Sequence, residues 1–360
     1  MRILSALDAI SPAFSRTKLV LFTPFRIGRT WKLGVTAYLS FAGTVFLPFP
    51  LIALAFLPIL RKQDGFTSKW TTIFIACVLV VTLVYLVLFY LFSRLHFTYF
   101  DIVVNRGQFV APAWRKYGRQ SLTWTAFEVL LGGIFTAVIA FPVAHLLRGL
   151  FTTFNKLPLG PNQPPSPQFV YAIFTIYATF FLVYLVIGLF YLLSSVLSDF
   201  LIPSLALEET TIRQALRRFW LLLRREPGQL TLYIVLKGAL FLAGGMAVGI
   251  AFYAVVLMVA IVAVIVGLLL GFLLHLLHVP MAVLSGLAIT AGIILYVVVF
   301  FYGIFVANGT LFTFLESYAL YFLGGRYPML GDLLDRSTPP SPAPLLSPYY
   351  YAAPPPPPRE

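Results

Sequence analysis

Long runs of apolar residues constrain this chain more than any other feature of its sequence. The longest, Gln229 to Val279, holds about 50 residues with few interruptions, and a run of 18 or more apolar residues is typical of a transmembrane helix. Hydrophobic residues make up 60% of the chain and charged residues only 10%, which excludes a soluble globular domain. We therefore predict an all-α, polytopic integral membrane protein whose transmembrane domain covers residues 33–328. Its expected spans are residues 33–60, 70–92, 122–147, 169–197, 229–255 and 281–314.

The longest run exceeds what one crossing needs. As a straight helix it would measure about 75 Å, whereas the hydrocarbon core of a bilayer is about 30 Å thick. We therefore expect a break between Val255 and Gly271, with residues 256–278 forming a re-entrant or interfacial segment. In the first span, Pro48, Pro50 and Pro58 predict a kinked or frayed outer end, because proline removes a backbone donor.

A basic segment between the fourth and fifth spans has the pattern of an amphipathic helix. Thr211 and Gln214 have the spacing of a capping box, and Pro227-Gly228 is typical of a helix end. Opposite apolar and basic arcs favour a helix that lies flat at a membrane surface. The apolar arc contains Ile212, Ala215, Leu216, Phe219, Leu222 and Leu223, and the basic arc contains Arg213, Arg217, Arg218, Arg224 and Arg225.

A second basic amphipathic segment lies between the second and third spans. Its basic residues are Arg115, Lys116 and Arg119. Residues 113–117 correspond position by position to residues 215–219, and each block follows an acid, Asp101 or Asp199, at the end of a span. This correspondence indicates an internal repeat, although membrane elbows can also converge on such a pattern.

The distribution of basic residues predicts the orientation. If the interfacial segment of residues 1–32 is cytoplasmic, nineteen of the 25 Lys and Arg residues lie inside and five outside, with Lys237 within a span. The positive-inside rule then predicts that both termini are cytoplasmic. The proline-rich residues 329–360 are expected to form a disordered cytoplasmic tail. Residues 354–359 match a Pro-x-x-Pro-x-Arg ligand, but a spacer is the preferred interpretation.

Two charged residues, Glu128 and Lys237, lie deep within otherwise apolar spans. Each follows by eight residues a glutamine, Gln120 or Gln229, that comes after a basic segment, so both lie about 12 Å along their spans. Their equal depth and opposite charges predict an intramembrane ion pair, because an unpaired charge there is costly. The alternative is that Lys237 reaches the headgroups while Glu128 is protonated or bonded to a hydroxyl.

The sequence contains no recognisable catalytic motif, so we predict no enzyme, no catalytic residue and no cofactor. His275 and His278 have a spacing that could serve a metal, but a third ligand is missing and an interfacial position explains them. Cys77 is the only cysteine, which excludes a disulfide. The motifs Gly245-x-x-x-Gly249 and Gly267-x-x-x-Gly271 predict helix packing within the chain, with a dimer face as the alternative.

Several of these segments resemble a group of uncharacterised bacterial six-span membrane proteins, similar in layout to the membrane domain of glycerophosphodiester phosphodiesterases. The segments are residues 199–203, 215–220, 229–233 and 318–321. The resemblance implies a six-span helical unit in a bacterial inner membrane. It implies no established activity, and the chain has no phosphodiesterase domain.

Two functions fit this sequence. The first is a non-catalytic membrane module that engages anionic lipids, or a membrane protein partner or second copy, through its basic segments. The alternative is a small-solute transporter or permease, favoured by the repeat and the intramembrane charges. Transport would need a polar cavity at Glu128 and Lys237. Nucleic acid is not an expected partner, because the basic residues lie beside apolar runs.

Overall fold

The computed structural model describes residues 2–57, 67–107, 110–154, 167–276 and 280–337. Every regular element in these ranges is a helix, which confirms the all-α class. The helices are α1 (Ile10–Leu21), α2 (Ile27–Ala42), α3 (Phe49–Ile52, continued by a 3₁₀ turn at Ala53–Phe56), α4 (Ser68–Asn105), α5 (Val110–Lys116), α6 (Gly118–Phe154), α7 (Pro167–Leu207), α8 (Ile212–Arg225), α9 (Pro227–Leu276), α10 (Met281–Gly324) and α11 (Pro328–Ser337).

Five of these helices are long and apolar enough to cross a membrane. The candidate spans are all of α4, residues 118–140 of α6, 173–207 of α7, 227–273 of α9 and 289–324 of α10. They support the prediction of a polytopic membrane protein. The first predicted span, residues 33–60, is not among the spans found in the described ranges.

The first predicted span is interrupted early. α2 ends at Ala42 after 16 residues, a rise of about 24 Å, which is less than the thickness of a hydrocarbon core. Residues 43–48 are not helical. Gly43 lies against the backbone of α4, where a Cβ atom would come within 2.4 Å of Phe92. The break therefore begins before Pro48 and Pro50, at a close contact between two backbones.

α9 is one continuous helix, so the predicted break between Val255 and Gly271 is wrong, and so is a re-entrant segment over residues 256–276. Glycine in a helix costs only about 1 kcal/mol relative to alanine. In an apolar environment an interrupted helix would leave backbone groups without hydrogen-bond partners, which costs more. α9 instead packs as a continuous helix against α10.

Four glycines of α9 do not pack against this chain as predicted. A Cβ atom at Gly245, Gly249, Gly267 or Gly271 would have no neighbouring atom within 4 Å among the described residues. Gly244 is the glycine that does face a neighbour, since a Cβ atom there would lie 2.4 Å from the Leu311 side chain. The contact between α9 and α10 therefore passes beside the predicted motifs.

The most closely packed part of the protein lies at one end of the long helices, which we call the packed end. There α1 packs against α10, α11 against α10 and α4, and α8 against α7. A single core joins these short helices to the adjoining turns of α4, α6, α7, α9 and α10. Its largest fully buried aromatic side chains include Tyr99, Tyr117, Trp124, Tyr233, Tyr318 and Phe322.

Arg16 fastens the N-terminal helix to the packed end. Its buried guanidinium donates to the carbonyl oxygens of Val103 at 2.7 Å and Val104 at 2.6 Å, at the C-terminus of α4. It also donates to the carbonyl oxygen of Ser337 at 3.2 Å, at the end of α11. Because a helix C-terminus carries partial negative charge, a cation is favourable there. Residues 16 and 337 therefore lie on the same side of the molecule.

The first part of the predicted tail is helical. Residues 328–337 form α11, with Leu330 and Leu334 buried in the core, so disorder from residue 329 is wrong. Leu330 and Leu334 are four residues apart and therefore lie on one face of the helix, which packs against the core. Pro58, His278 and residues 338–360 lie outside the described residues, as does the side chain of His275.

Candidate functional site

The packed end contains a buried ion pair between α7 and α9. Lys237 Nζ contacts Asp199 Oδ2, and it also donates to the Ser195 hydroxyl at 2.7 Å. Tyr233 donates its hydroxyl to the same Asp199 oxygen at 2.6 Å. Asp199 and Lys237 are 8% and 5% exposed. Each charge thus has an opposite charge and further hydrogen bonds, as a buried pair requires.

This arrangement corrects the predicted pair of Glu128 with Lys237. α7 packs against both α6 and α9. Two consecutive serines on α7 serve the two sides, since Ser194 contacts Glu128 on α6 and Ser195 contacts Lys237 on α9. Equal depth along the spans did not identify the partner of either charge. Lys237 pairs with Asp199, which lies on α7, the helix that packs against both α6 and α9. The sequence places Asp199 at the end of a predicted span and does not indicate this pairing.

Glu128 instead supports the interruption after α2. Its carboxylate is fully buried, and both of its oxygens lie 2.8 Å from the Ser194 hydroxyl. The Ser194 hydroxyl also lies 3.1 Å from the carbonyl oxygen of Thr44, and the backbone N–H of Phe46 hydrogen-bonds the carboxylate. Non-helical backbone at membrane depth must find partners within the protein. Glu128 and Ser194 supply them here.

Other side chains complete this support. Ser93 donates to the carbonyl oxygen of Gly43 at 3.4 Å, and Tyr191 donates to that of Phe41 at 3.4 Å. Gly132 on α6 allows the closest approach, since a Cβ atom there would lie 2.0 Å from the Phe46 carbonyl oxygen. Gly132 thus packs against the non-helical residues 43–48 and not against another helix.

The helices close around both predicted intramembrane charges. Glu128 is 0% exposed and Lys237 5% exposed, and every hydrogen bond described for them is to this chain's own groups. Two cavities among the described residues lie elsewhere, one at the packed end and one between α9 and α10. In this conformation the arrangement counts against a solute pathway through these charges.

The basic segment between the second and third predicted spans forms α5 and the start of α6. Arg115, Lys116 and Arg119 are all exposed, and the Lys116 ammonium lies 3.4 Å from Asp101. The hydroxyl of buried Tyr117 also donates to Asp101, at 2.6 Å. Burial, and then this hydrogen bond, raise the pKa of Tyr117 well above its usual value. Arg115 and Arg119 remain without an acidic partner among the described residues.

The basic segment between the fourth and fifth predicted spans forms α8, which begins with the predicted capping box. Thr211 accepts from the backbone of Gln214, and the Gln214 side chain accepts from the backbone of Thr211. The apolar face of α8 lies against the protein. Its members pack against the protein core, where Ala215 is buried and Ile212, Leu216, Phe219, Leu222 and Leu223 are partly buried. A free amphipathic helix would insert this apolar face into the membrane, whereas in this protein the face packs against the core.

The exposed part of α8 divides into two rows of side chains. The first, which we call the outer row, follows the helical spacing 213, 217, 220 and 224 and consists of Arg213, Arg217, Trp220 and Arg224. The Arg224 guanidinium lies over the Trp220 ring, 5.1 Å from its centroid, which is within cation–π distance. The second, the inner row, contains Arg218 and Arg225 on either side of Leu221 and Leu222.

The inner row is partly neutralised. Arg218 forms an ion pair of 2.5 Å with Glu208, whereas Arg225 makes no hydrogen bond or ion pair with the described residues. All eight basic residues predicted to face lipid are thus exposed, and they differ in whether an acid accompanies them. The sequence alone had not separated the two rows, because both belong to one broad basic arc.

Comparison with known proteins decides the family. A protein family of unknown function, DUF7544, matches residues 4–333. The chain belongs to this family. The match agrees with the resemblance to an uncharacterised family, whereas no comparison shows the expected likeness to the glycerophosphodiester phosphodiesterase membrane domain. No curated protein and no solved structure matches this DUF7544 member.

Proposed function

We propose that this DUF7544 protein is a non-catalytic module of the bacterial inner membrane that gathers anionic phospholipids at its packed end. The proposal rests chiefly on α8, whose apolar face is occupied by the core while the outer row stays exposed. Such a helix cannot engage a membrane by inserting its apolar face. It has arginines and one tryptophan available, and these suit the headgroup region.

The position of α8 along the chain supports this function. A candidate span ends at Leu207, five residues before α8 begins, and another begins at Pro227, two residues after α8 ends. The outer row is therefore held at the boundary between hydrocarbon and water. A basic side chain near an anionic surface contributes about 1 kcal/mol, so three arginines make a substantial local attraction.

A second surface has the same character. Arg115 and Arg119 both follow the end of α4. Arg115 precedes the next candidate span, and Arg119 lies at its start. Two such surfaces at one end of the helices would enrich anionic lipids around the packed end. With the excess of basic residues on this side, we propose that the packed end and both termini face the cytoplasm.

The test measures lipid preference in bilayers. The full chain is reconstituted with spin-labelled phosphatidylglycerol or phosphatidylcholine, and the fraction of immobilised label gives the relative association of each lipid. Replacing Arg213, Arg217 and Arg224 with glutamine should reduce the preference for phosphatidylglycerol, by up to about fivefold for each arginine. The matched control replaces the same residues with lysine, which keeps the charge and should keep most of the preference. Equal association of both lipids with the unaltered protein would refute the proposal.

A further inference from the structure

A cavity of about 390 Å³ opens at the packed end, between the end of α7, the inner row of α8, the end of α10 and the start of α11. Its level is that of the headgroups, because candidate spans end at Leu207 and Gly324 beside it. Small-ligand sites typically have volumes of about 300 to 1,000 Å³. The cavity can therefore hold a headgroup and glycerol backbone, but not the acyl chains of a lipid.

The wall of the cavity is amphipathic. Three arginines, Arg218, Arg225 and Arg326, face a single acid among its lining residues, Glu208. The rest of the wall is mainly apolar and includes Phe200, Pro203, Phe219, Leu221, Leu222 and Leu323. A ligand that matches this wall carries a negative charge next to apolar groups.

The three arginines differ in what they can still bind. Arg326 is occupied, since it donates to Glu226 at 2.8 and 3.0 Å and to the carbonyl oxygens of Leu4 and Phe322 at 2.9 and 2.8 Å. Arg225 has no hydrogen-bond or ion-pair partner in the described part of the chain. An anion entering the cavity would therefore find Arg225 free.

Glu208 already holds an anionic position on this wall. One of its carboxylate oxygens accepts from Arg218 at 2.5 Å, and the other accepts from the Tyr327 hydroxyl at 2.7 Å. These two donors point at one carboxylate with the geometry that a phosphate oxygen would also use. The position of the Glu208 carboxylate indicates that this wall favours a negatively charged ligand. Glu208 would also compete with such a ligand for Arg218.

We infer that this cavity binds the phosphate and glycerol portion of one anionic glycerophospholipid, with Arg225 and Arg218 holding the phosphate. The acyl chains leave along the exposed apolar surfaces of α7 and α10. The inference deepens the proposed function and depends on it, since it adds one defined site to a general attraction. It separates the inner row, which binds one molecule, from the outer row, which attracts many.

The experiment counts bound lipids by native mass spectrometry of the full chain in detergent, titrated with short-chain phosphatidylglycerol. We expect one tightly held lipid. Arg218→Gln with Arg225→Gln should weaken its binding by about tenfold or more, since two charge-assisted contacts are lost. The matched pair Arg213→Gln with Arg217→Gln, on the same helix and with the same charge change, should weaken it no more than about twofold.

Two further variants keep the result interpretable. Arg225→Gln alone removes no partner from Glu208, so it should weaken binding without changing the melting temperature of the lipid-free protein. Glu208→Gln removes the competing carboxylate and should strengthen binding. A loss of binding with Arg225→Gln together with a gain with Glu208→Gln would support the cavity, and the absence of both effects would overturn it.

The outcomes separate the two proposals. If both arginine pairs weaken binding equally, the cavity inference fails while the general attraction stands. If phosphatidylcholine binds as tightly as phosphatidylglycerol, both proposals fail. Titration with inorganic phosphate and with glycerol phosphate identifies the source of the anion. If either competes as well as the lipid at equal concentration, the site takes a soluble phosphate and the lipid assignment is overturned.

Discussion

Asp199 on α7 and Lys237 on α9 form a buried ion pair that joins two candidate spans. The same aspartate oxygen accepts the hydroxyl of Tyr233, whose ring stacks on Tyr318 of α10 at a centroid distance of 5.2 Å. The pair therefore links three long helices at the packed end. We therefore expect the ion pair to contribute to the free energy of unfolding.

Asp199→Asn and Lys237→Met should each destabilise the protein, by about 3 to 5 kcal/mol, because each leaves one buried charge without its partner. The double variant should cost clearly less than the sum, since no charge is then left alone. Thermal unfolding in detergent measures all three. As the control, the stability losses of Glu128→Gln and Lys237→Met should add in the double variant, because these residues are not partners. Strict additivity of the losses from Asp199→Asn and Lys237→Met would contradict the ion pair.

Glu128 should respond to a loss of hydrogen bonding and not to a loss of charge. Glu128→Gln keeps an acceptor for the Phe46 N–H and gains a donor for Ser194, so it should cost little. Glu128→Leu leaves the buried backbone N–H unpaired and should cost about 1 to 3 kcal/mol. Unfolding measurements on both variants provide the comparison, and equal losses would contradict this role.

Gly132 and Gly133 make a matched pair for testing the interruption after α2. Gly132→Ala would bring a Cβ atom within 2.0 Å of the Phe46 carbonyl oxygen, so backbone must move and the protein should be strongly destabilised. A Cβ atom at Gly133 meets nothing within 4 Å. Gly133→Ala should therefore be neutral or slightly stabilising through helix propensity. Similar melting temperatures for the two variants would show that residues 43–48 do not lie against α6.

Glu208 predicts a pH dependence of stability. Hydrogen bonds from Arg218, and then from Tyr327, lower the pKa of Glu208 below its usual value. A carboxylate with a lower pKa in the folded state stabilises the protein above the pKa of the unfolded chain, about 4.3, and loses that contribution as pH falls through the folded value. The melting temperature should therefore fall more between about pH 6 and about pH 3 for the unaltered protein than for Glu208→Gln. Identical pH profiles would exclude this contribution.

The hydrogen bond between Arg16 and Ser337 predicts that both ends of the described chain lie on one side of the membrane. Together with the distribution of basic residues, this side should be the cytoplasm. Reporter domains fused before Met1 and after Ser337 should both be active only in the cytoplasm. Activity of either fusion on the opposite side would contradict the orientation.

Features that depend on neighbouring positions in the chain could be predicted from the sequence. Apolar runs predict the long helices, because in an apolar environment a helix satisfies its own backbone hydrogen bonds. The capping box at Thr211 and Gln214 and the two faces of α8 follow from spacing alone. The eight basic residues of α5, α6 and α8 are exposed, and their contact with lipid stays a prediction.

Features that depend on which helices meet were decided by the tertiary structure. Lys237 has Asp199 as its partner because α7 lies between α6 and α9, and depth along a span carries no information about that order. The helix after Gly43 is interrupted because the backbone of α4 approaches there, whereas the glycines of α9 meet no neighbour and leave that helix continuous. The apolar face of α8 was visible in the sequence. That it covers the protein core and leaves the outer row exposed follows from packing, because a buried face and a lipid-facing face have the same apolar composition.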